Sequence, residues 1–275
     1  MTATSLPVSA RSDGLAESMR RRLGPASVEG ALGIRVIAAE SRRVELELPL
    51  PLRCGSSAVA GPALESALAV LCDCGLGLAL MARRGDGDGG ITLDLRVDAV
   101  AEIRPHTTYL RVVAEGVGVG DEHGCGRVDV FDDRGRLVAH AAGAMAMSPS
   151  LPIMERDPAV AEPRRLDLGT LFDGLELTDG GADIPVRLEA ENSRGIVHGA
   201  LLAAAALAVS RAGGSEGRLI SFSAEFLRPV PADVGILRAR VTPVRRGRRF
   251  LSDRIELLLP DGRTAAGVTT VFARV

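Results

Sequence analysis

The chain has 275 residues, of which 46% are hydrophobic and 25% charged, and its formal net charge is −2. This composition is typical of a globular protein and excludes a disordered or collagen-like chain. A near-neutral charge, no Trp and one Tyr argue against nucleic-acid binding, which needs a basic surface or aromatic stacking platforms. The longest uncharged apolar run, residues 199–209, is too short to cross a bilayer, and we expect neither a membrane span nor a signal peptide.

The composition avoids several residue types. All 33 basic residues are Arg, Gln is absent, and Asn192 is the one Asn. We attribute this bias to a GC-rich genome. Because the composition otherwise avoids Asn, the single Asn192 is a candidate functional residue. The four Cys residues lack the spacing of a zinc site, and we expect reduced, buried thiols, no metal and a cytoplasmic location: Cys54, Cys72, Cys74 and Cys125.

The first half of the chain reads as strand, loop, long helix and further strands. Residues 34–50 include strand-like alternation, residues 54–60 form a loop, and an apolar helix runs from Pro62, a favoured first-turn residue, to about Arg83. A Gly/Asp-rich loop follows the helix. The remaining strand patterns are residues 91–97, 108–114, 126–131 and 137–147.

A Pro-rich segment separates this half from a second one of similar length. Residues 148–163 contain four Pro and no sustained period, which is typical of a linker. The predicted organisation is an N-terminal tail, a first domain, a linker and a second domain: residues 1–24, 25–150, 151–166 and 167–275.

The second half repeats the order of the first. A strand (184–190) and a loop precede an Ala/Leu-rich helix over residues 199–212, which Gly213 and Gly214 end. Three more strand patterns follow, and Asp261-Gly262 forms a turn into the last strand. A long apolar helix needs cover on most of its surface, which a curved antiparallel sheet supplies. We therefore predict an α+β protein of two tandem units fused through one continuous sheet.

The loop before the second helix carries a motif. Asn192, Gly195, Val197, His198 and Gly199 form Asn-x-x-Gly-x-Val-His-Gly. This resembles the signature of hot-dog fold acyl-CoA thioesterases, in the subfamily typified by phenylacetate-pathway enzymes, and the following strands resemble thioesterase-like proteins with two hot-dog units in one chain. The resemblance covers residues 170–275 well and residues 28–150 weakly, and it implies a double hot-dog fold and hydrolysis of an acyl thioester.

The two halves differ at this motif. Residues 54–61 align with 192–199 and keep Gly61, but Cys54 stands in place of Asn and Ala60 in place of His. Family members also carry a carboxylate eight residues after the motif glycine, where this chain has Ala69 and Leu207. The first helix offers Asp73 or Glu65 instead, each one turn away on the same face, whereas the second helix has no carboxylate.

These differences are complementary and predict one composite site between the two helices. The resemblance assigns Asn192, His198 and Gly199 to this site, with Asp73 or Glu65 as the acid. The Gly199 amide at a helix N-terminus suits an oxyanion, a carboxylate suits a base or nucleophile, Asn192 would orient water or substrate, and His198 would shape the loop. The alternative for each residue is structural: a turn, a cap, helix packing or an ion pair. We expect His106, His123 and His140 to be structural.

A basic hairpin follows in the second half. Arg245, Arg246, Arg248 and Arg249 flank Gly247. This stretch is either a solvated turn or a site for the phosphates of coenzyme A, which would enter as part of the substrate and not as a separate cofactor.

The leading hypothesis is therefore an acyl-CoA or acyl-carrier thioesterase. The alternatives are a non-catalytic acyl-CoA-binding or regulatory protein and, less favoured, a hot-dog hydratase or dehydratase. The expected partner is a small-molecule thioester, with no nucleic acid or membrane, and two or more chains could assemble.

Overall fold

The computed structural model describes residues 8–52, 61–84, 90–147 and 163–274. The predictions on Cys54, Ala60, the Gly/Asp-rich loop and most of the linker lie outside these residues. The side chains of residues 8–13 are likewise outside the description.

In the described part of the chain, twelve strands form one antiparallel sheet. Their order is β1-β2-β4-β5-β6-β3-β9-β12-β11-β10-β8-β7. The strands of the first half are β1 Arg35–Ala39, β2 Arg43–Pro49, β3 Ile91–Ala99, β4 Tyr109–Val119, β5 His123–Asp132 and β6 Leu137–Ala146. Those of the second half are β7 Glu176–Thr178, β8 Gly181–Pro185, β9 Arg218–Phe226, β10 Ile236–Arg246, β11 Phe250–Leu258 and β12 Thr264–Ala273.

The strand order shows an internal repeat. Reading outwards from the central β3–β9 pair, the first half gives β6, β5, β4, β2, β1, and the second gives β12, β11, β10, β8, β7. Each half therefore contributes six strands in equivalent positions. The central pairing joins them edge to edge, with Asp94 opposite Glu225 and Asp98 opposite Ser221. The predicted double hot-dog architecture is confirmed.

Each half of the sheet wraps one apolar helix. In the first half this is α3, Pro62–Arg84, and in the second it is α4, Gly199–Ala212. Helix α3 is long and apolar enough to span a membrane by length and composition, but 89% of its apolar window is buried inside the protein. It is the core helix of its unit, and its Leu71, Leu76 and Leu80 side chains are fully buried.

Two further helices precede the first strand, and the sequence analysis did not predict them. Helix α1, Val8–Arg22, lies in the segment predicted as a tail, and its Met19 is buried in the core. Helix α2, Val28–Leu32, is short, with Ser27 as N-cap and Gly33 at φ +84° as C-cap. Helix α2 packs against α3 and so brings Glu29 close to the first core helix.

An ion pair joins the helices of the two halves. Arg211 at the end of α4 donates through Nε to Glu65 Oε2 at 3.3 Å and through Nη2 to Glu65 Oε1, at the start of α3. The same guanidinium donates to the backbone oxygen of Gly217 at 2.7 Å and lies over the Phe272 ring, 4.3 Å from its centroid. This contact ties the start of α3 to the end of α4, and Asp73 in the middle of α3 lies near His198 at the start of α4, so the two helices run antiparallel.

We expect Glu65→Ala to lower the free energy of unfolding by about 2 kcal/mol, because it leaves the largely buried Arg211 without its counterion. Urea denaturation measures the loss. Glu47→Ala is the control, since it removes the partner of Arg35, whose side chain is 56% exposed, and should cost less than about 1 kcal/mol. Equal losses in the two variants would contradict the role given to Arg211 and Glu65.

Candidate active site

A cavity of about 410 Å³ opens where the two halves meet. It is bounded by α2, α3 and β3 from the first half, and by the motif loop, the start of α4 and the segment after β9 from the second. Among its lining residues are Glu29, Asp73, Thr92, Asn192, His198, Gly199 and Phe226.

His198 lies at the centre of a cluster that sequence reasoning found only in part. Its Nδ1 is 3.7 Å from Asp73 Oδ2 on α3, and its Nε2 is 3.3 Å from Glu29 Oε1 on α2. The imidazole therefore stands between two carboxylates of the first half. The His198 and Asp73 side chains are each 8% exposed and that of Glu29 is 20% exposed.

Local backbone bonds explain why His198 points into this cluster. The His198 N–H donates to Ala190 O at 2.8 Å, and the Val197 N–H donates to Val230 O at 2.8 Å. These bonds hold the motif loop against its neighbours. His198 is also the N-cap of α4, because its Nδ1 accepts a bond of 3.3 Å from the Ala200 N–H.

Asp73 has one further partner in the cluster. Thr92 on β3 donates through Oγ1 to Asp73 Oδ1 at 2.7 Å. Burial raises the pKa of Asp73, and this outweighs the lowering by His198 and by the Thr92 hydrogen bond. A carboxyl with a raised pKa is a better proton acceptor than an ordinary Asp, which suits a general base.

The other two groups shift in opposite directions. Burial alone would lower the pKa of His198, but the hydrogen bond and charge of Glu29 and the charge of Asp73 raise it. Burial alone would raise the pKa of Glu29, but its hydrogen bond and charge interaction with His198 lower it. The pair of Glu29 and His198 is therefore stabilised as carboxylate and imidazolium.

Gly199, the first residue of α4, provides a backbone donor at the cavity wall. No described residue accepts a hydrogen bond from its N–H, and the helix dipole adds positive charge there. A Cβ at this position would meet the Phe226 ring at 3.6 Å, an ordinary contact. The packing around Gly199 would therefore accept a Cβ. The glycine instead leaves open space in the cavity beside Phe226, where a ligand can approach the amide.

Asn192 lies at the cavity but also forms the turn that our structural alternative predicted. Its Oδ1 accepts a bond of 2.8 Å from the Arg194 N–H, and its backbone O accepts one from the Gly195 N–H. The Nδ2 donors and the second lone pair of Oδ1 are the groups of this side chain that can contact a ligand.

The chain is similar to one family model and to several solved structures. A family model described as acyl-CoA thioesterase N-terminal domain matches residues 188–273. The structure of a candidate oleoyl thioesterase from Lactobacillus plantarum has a TM-score of 0.58 at 14% identity, covering 85% of this chain and 96% of that one. A candidate thioesterase from Novosphingobium aromaticivorans gives 0.56 at 16% identity, covering 87% and 98%. An acyl-ACP thioesterase from Bacteroides thetaiotaomicron gives 0.51 at 10%, covering 89% and 99%.

The chain has the hot-dog fold, and its residues 188–273 match the acyl-CoA thioesterase family model. The structural likenesses, at 10–16% identity, establish the fold. No curated protein sequence is significantly similar to the chain.

The structure does not bring every candidate of this hot-dog protein to the cavity. Glu65 is not among the lining residues, and its carboxylate is engaged by Arg211. Asp73 and Arg211 each lie twelve residues after the motif glycine of their own half, Gly61 and Gly199. The second helix thus has a cation at the position where the first has the cavity's carboxylate.

The basic hairpin lies at the opposite end of the sheet from the cavity. Phe250 pairs with Ala273, which pairs with Arg218 at the start of β9, whereas the end of β9, Phe226, lines the cavity. Eight residue steps of strand separate these ends, about 26 Å at roughly 3.3 Å per step. Arg245, Arg248, Arg249 and Phe250 line a separate open cleft, and Arg246 is paired with the buried Asp253.

The thiols and remaining histidines give a mixed result. Cys72 and Cys74 are buried as expected, and burial raises the pKa of both thiols, which makes them inert. Cys125 is exposed, so the prediction of burial is wrong for it, because its side chain points to the outer face of β5. His140 contacts Asp129 across β5 and β6 at 2.7 Å, a structural role.

No cluster of metal-ligating side chains occurs among the described residues.

Sequence reasoning missed Glu29 and Thr92. Glu29 precedes His198 by 169 residues and Thr92 follows Asp73 by 19. Neither forms a spacing pattern, and only the α2–α3 packing and the β3 position bring them to the cluster. The one sequence signal was Ser27 followed by Glu29, because an N-cap Ser with an acidic residue in the first turn is typical of a helix start.

We expect Asp73→Asn to raise the melting temperature at neutral pH. The pKa of Asp73 is higher in the folded than in the unfolded chain, so the unfolded chain loses this proton first as pH rises, and stability falls through that interval. Asn removes this penalty and keeps an oxygen for the Thr92 hydroxyl. Thermal unfolding followed by circular dichroism from pH 4 to 8 measures the gain, which should grow as pH rises above the ordinary pKa of Asp and level off once the folded carboxyl is ionised. Asp179→Asn, the same change in an exposed turn, should show no such trend, and a lower melting temperature for Asp73→Asn would count against the buried, destabilised carboxylate.

Proposed function

We propose that the protein hydrolyses an acyl thioester, carried by coenzyme A or by a carrier protein, to free acid and thiol at one composite site between its two hot-dog units. The observation that carries this proposal is the approach of Asp73, from the first half, to within 3.7 Å of His198, from the second, beside the open Gly199 amide. The hot-dog fold and the acyl-CoA thioesterase model that matches residues 188–273 support the reaction class.

The proposed mechanism divides the work among three groups. The Gly199 N–H donates to the thioester oxygen as negative charge develops on it, assisted by the α4 dipole. The ionised Asp73 carboxylate removes a proton from a water as its oxygen attacks the carbonyl carbon. The carbon–sulfur bond then breaks, and the thiol, with a pKa near 8.5, leaves as thiolate without strong acid assistance.

Two residues assist in orientation. His198 holds Asp73 and begins α4, so it fixes the carboxylate relative to the Gly199 amide. Asn192 has its Nδ2 donor left to orient water or substrate. In the equivalent region of the other half, Arg211 takes the place of the acid, so we propose one working site per chain.

Release of free thiol from short, long and aromatic acyl-CoAs tests the proposal. We expect the wild type to hydrolyse at least one of them, Asp73→Asn to lose about 100-fold or more in kcat, and Gly199→Ala to lose a similar factor through crowding at the oxyanion position. Asn192→Ala should lose less if its part is orientation. Glu65→Gln is the matched control, a carboxylate-to-amide change on the same helix that should keep kcat within about threefold.

Measurements on the same acyl-CoA substrates would also detect two other functions. Tight binding of acyl-CoA without turnover would replace hydrolysis by a binding or regulatory role, which the engagement of Asn192 Oδ1 in a turn favours. Loss of enoyl-CoA absorbance without thiol release would indicate a hydratase, a function for which the His198–Asp73 pair is suited.

Three cationic side chains at the cavity are candidates for the phosphates of a coenzyme A or phosphopantetheine carrier. Arg22 of α1, Arg194 of the motif loop and Arg228 after β9 all line it. The contact predicted for the hairpin arginines stays a prediction, and their distance from the cavity makes them the weaker candidates. We extend the proposal to a cytoplasmic protein whose partner is the thioester, with coenzyme A present only as part of it.

We expect Arg228→Ala to raise KM for an acyl-CoA about tenfold, because a charge-assisted hydrogen bond to phosphate is lost. KM for the same acyl group on N-acetylcysteamine, which has no phosphate, should not change. Arg248→Ala is the matched control at the hairpin and should change neither value. The opposite pattern, a rise in KM with Arg248→Ala alone, would assign the phosphates to the hairpin.

A further inference from the structure

We propose that Glu29 is a positioning residue that holds a proton on His198 and thereby keeps Asp73 ionised as the base. This inference rests on the proposed function for its catalytic part, whereas the placement of the proton on His198 can be measured in a protein of any activity. Glu29 belongs to neither the motif nor the core helices, and it reaches the site from α2.

The hydrogen bonds of His198 define its neutral form. The Ala200 N–H donates to Nδ1 at 3.3 Å, so Nδ1 accepts and the proton of the neutral ring is on Nε2. That Nε2–H points to Glu29 Oε1 at 3.3 Å. Glu29 therefore selects the tautomer and also faces the ring as a charge.

Asp73 and His198 together hold one proton that has two places to reside. In one arrangement His198 is an imidazolium between two carboxylates, with its Nδ1–H directed to Asp73 and the bond from the Ala200 N–H given up. In the other arrangement the ring is neutral, Nδ1 accepts from Ala200, and Asp73 is protonated at the oxygen near Nδ1. Both arrangements have the same net charge, so the surrounding charges decide between them. Only the first leaves Asp73 able to accept a proton from water.

The charge of Glu29 favours the first arrangement. It lies 3.3 Å from Nε2 and attracts the imidazolium, whereas the ring separates it from Asp73, so the attraction exceeds the repulsion between the carboxylates. Consistent with this, the pKa of His198 is raised and that of Glu29 is lowered. Without Glu29, the proton would shift towards Asp73 or leave the pair altogether.

The other groups around the cluster act more weakly on His198. The charge of Arg164 opposes protonation of His198, and on α3 the Cys74 thiol beside Asp73 is neutral because burial raises its pKa. Thr92 donates to Asp73, and the Ser27 hydroxyl bonds to Glu29 and to the Gly30 N–H. At the cavity wall the remaining charged side chains are Arg22, Arg194 and Arg228.

Arg164 also fixes Glu29 in place. It donates to the backbone oxygens of Ala26, at 3.0 Å, and Glu189, at 2.7 Å, and also to that of Glu191. The entry to α2 is thereby tied to the segment that precedes the motif, which is the segment that positions His198. Arg164 therefore holds both the segment that carries Glu29 and the segment that leads to His198.

Nuclear magnetic resonance of the protein with ¹⁵N-labelled histidine tests the inference. The chain has four His residues, and His198→Gln assigns the resonance. We expect His198 to be an imidazolium at neutral pH in the wild type and to titrate at lower pH in Glu29→Gln. Glu29→Asp, which keeps the charge, should restore part of the effect, and Glu189→Gln, the same change on an exposed side chain, should leave the titration unchanged.

The pH dependence of kcat/KM tests the catalytic part. Loss of the His198 proton is expected to limit activity on the alkaline side, so this limb should move to lower pH in Glu29→Gln, with at least about a tenfold loss where the two profiles separate. An unchanged His198 titration in Glu29→Gln overturns the proposal, and so does a shifted titration with an unmoved limb. If the wild type releases no thiol from any substrate, the proposed function fails, and the titration still decides whether Glu29 holds the proton.

Discussion

The antiparallel pairing of β3 with β9 is the constraint on which the rest of the molecule depends. It joins two hot-dog units into one sheet and forces their helices to run in opposite directions. The end of β9 then lies beside the start of β3, so Phe226 and Thr92 line the same cavity. The same pairing brings the middle of α3 to the start of α4, where Asp73 meets His198. Neither half could form this site alone.

The equivalent positions of the two core helices are opposite in charge. Asp73 faces the cavity in the first, and Arg211, at the equivalent position, bonds to Glu65 in the second. A buried carboxylate and a buried guanidinium both need a counterion, and each finds it in the other half of the chain. The Asp73–His198 and Glu65–Arg211 contacts therefore differ in chemistry, and both hold the two halves together.

Sequence patterns predicted the architecture and about half of the residues of the site. Repeated strand alternation, the apolar helices and the motif from Asn192 to Gly199 depend on local spacing, which a sequence displays directly. Glu29 and Thr92 could not be found in this way, because their approach is fixed by packing of α2 and by the place of β3 in the sheet. Asp73 and Glu65 were equivalent on a helical wheel, and only the antiparallel helix partner distinguishes them.

The burial that makes Asp73 basic also makes it costly to ionise. In an apolar wall with one Thr92 hydrogen bond, the carboxyl would keep its proton and could not act as a base. A neighbouring imidazolium favours the ionised carboxylate, but burial alone would also remove the proton from the imidazolium. Glu29 supplies the charge that makes the imidazolium stable, and it does so from the far side of the ring, where its repulsion of Asp73 is weakest. A second carboxylate is thus what allows the first to be both buried and ionised.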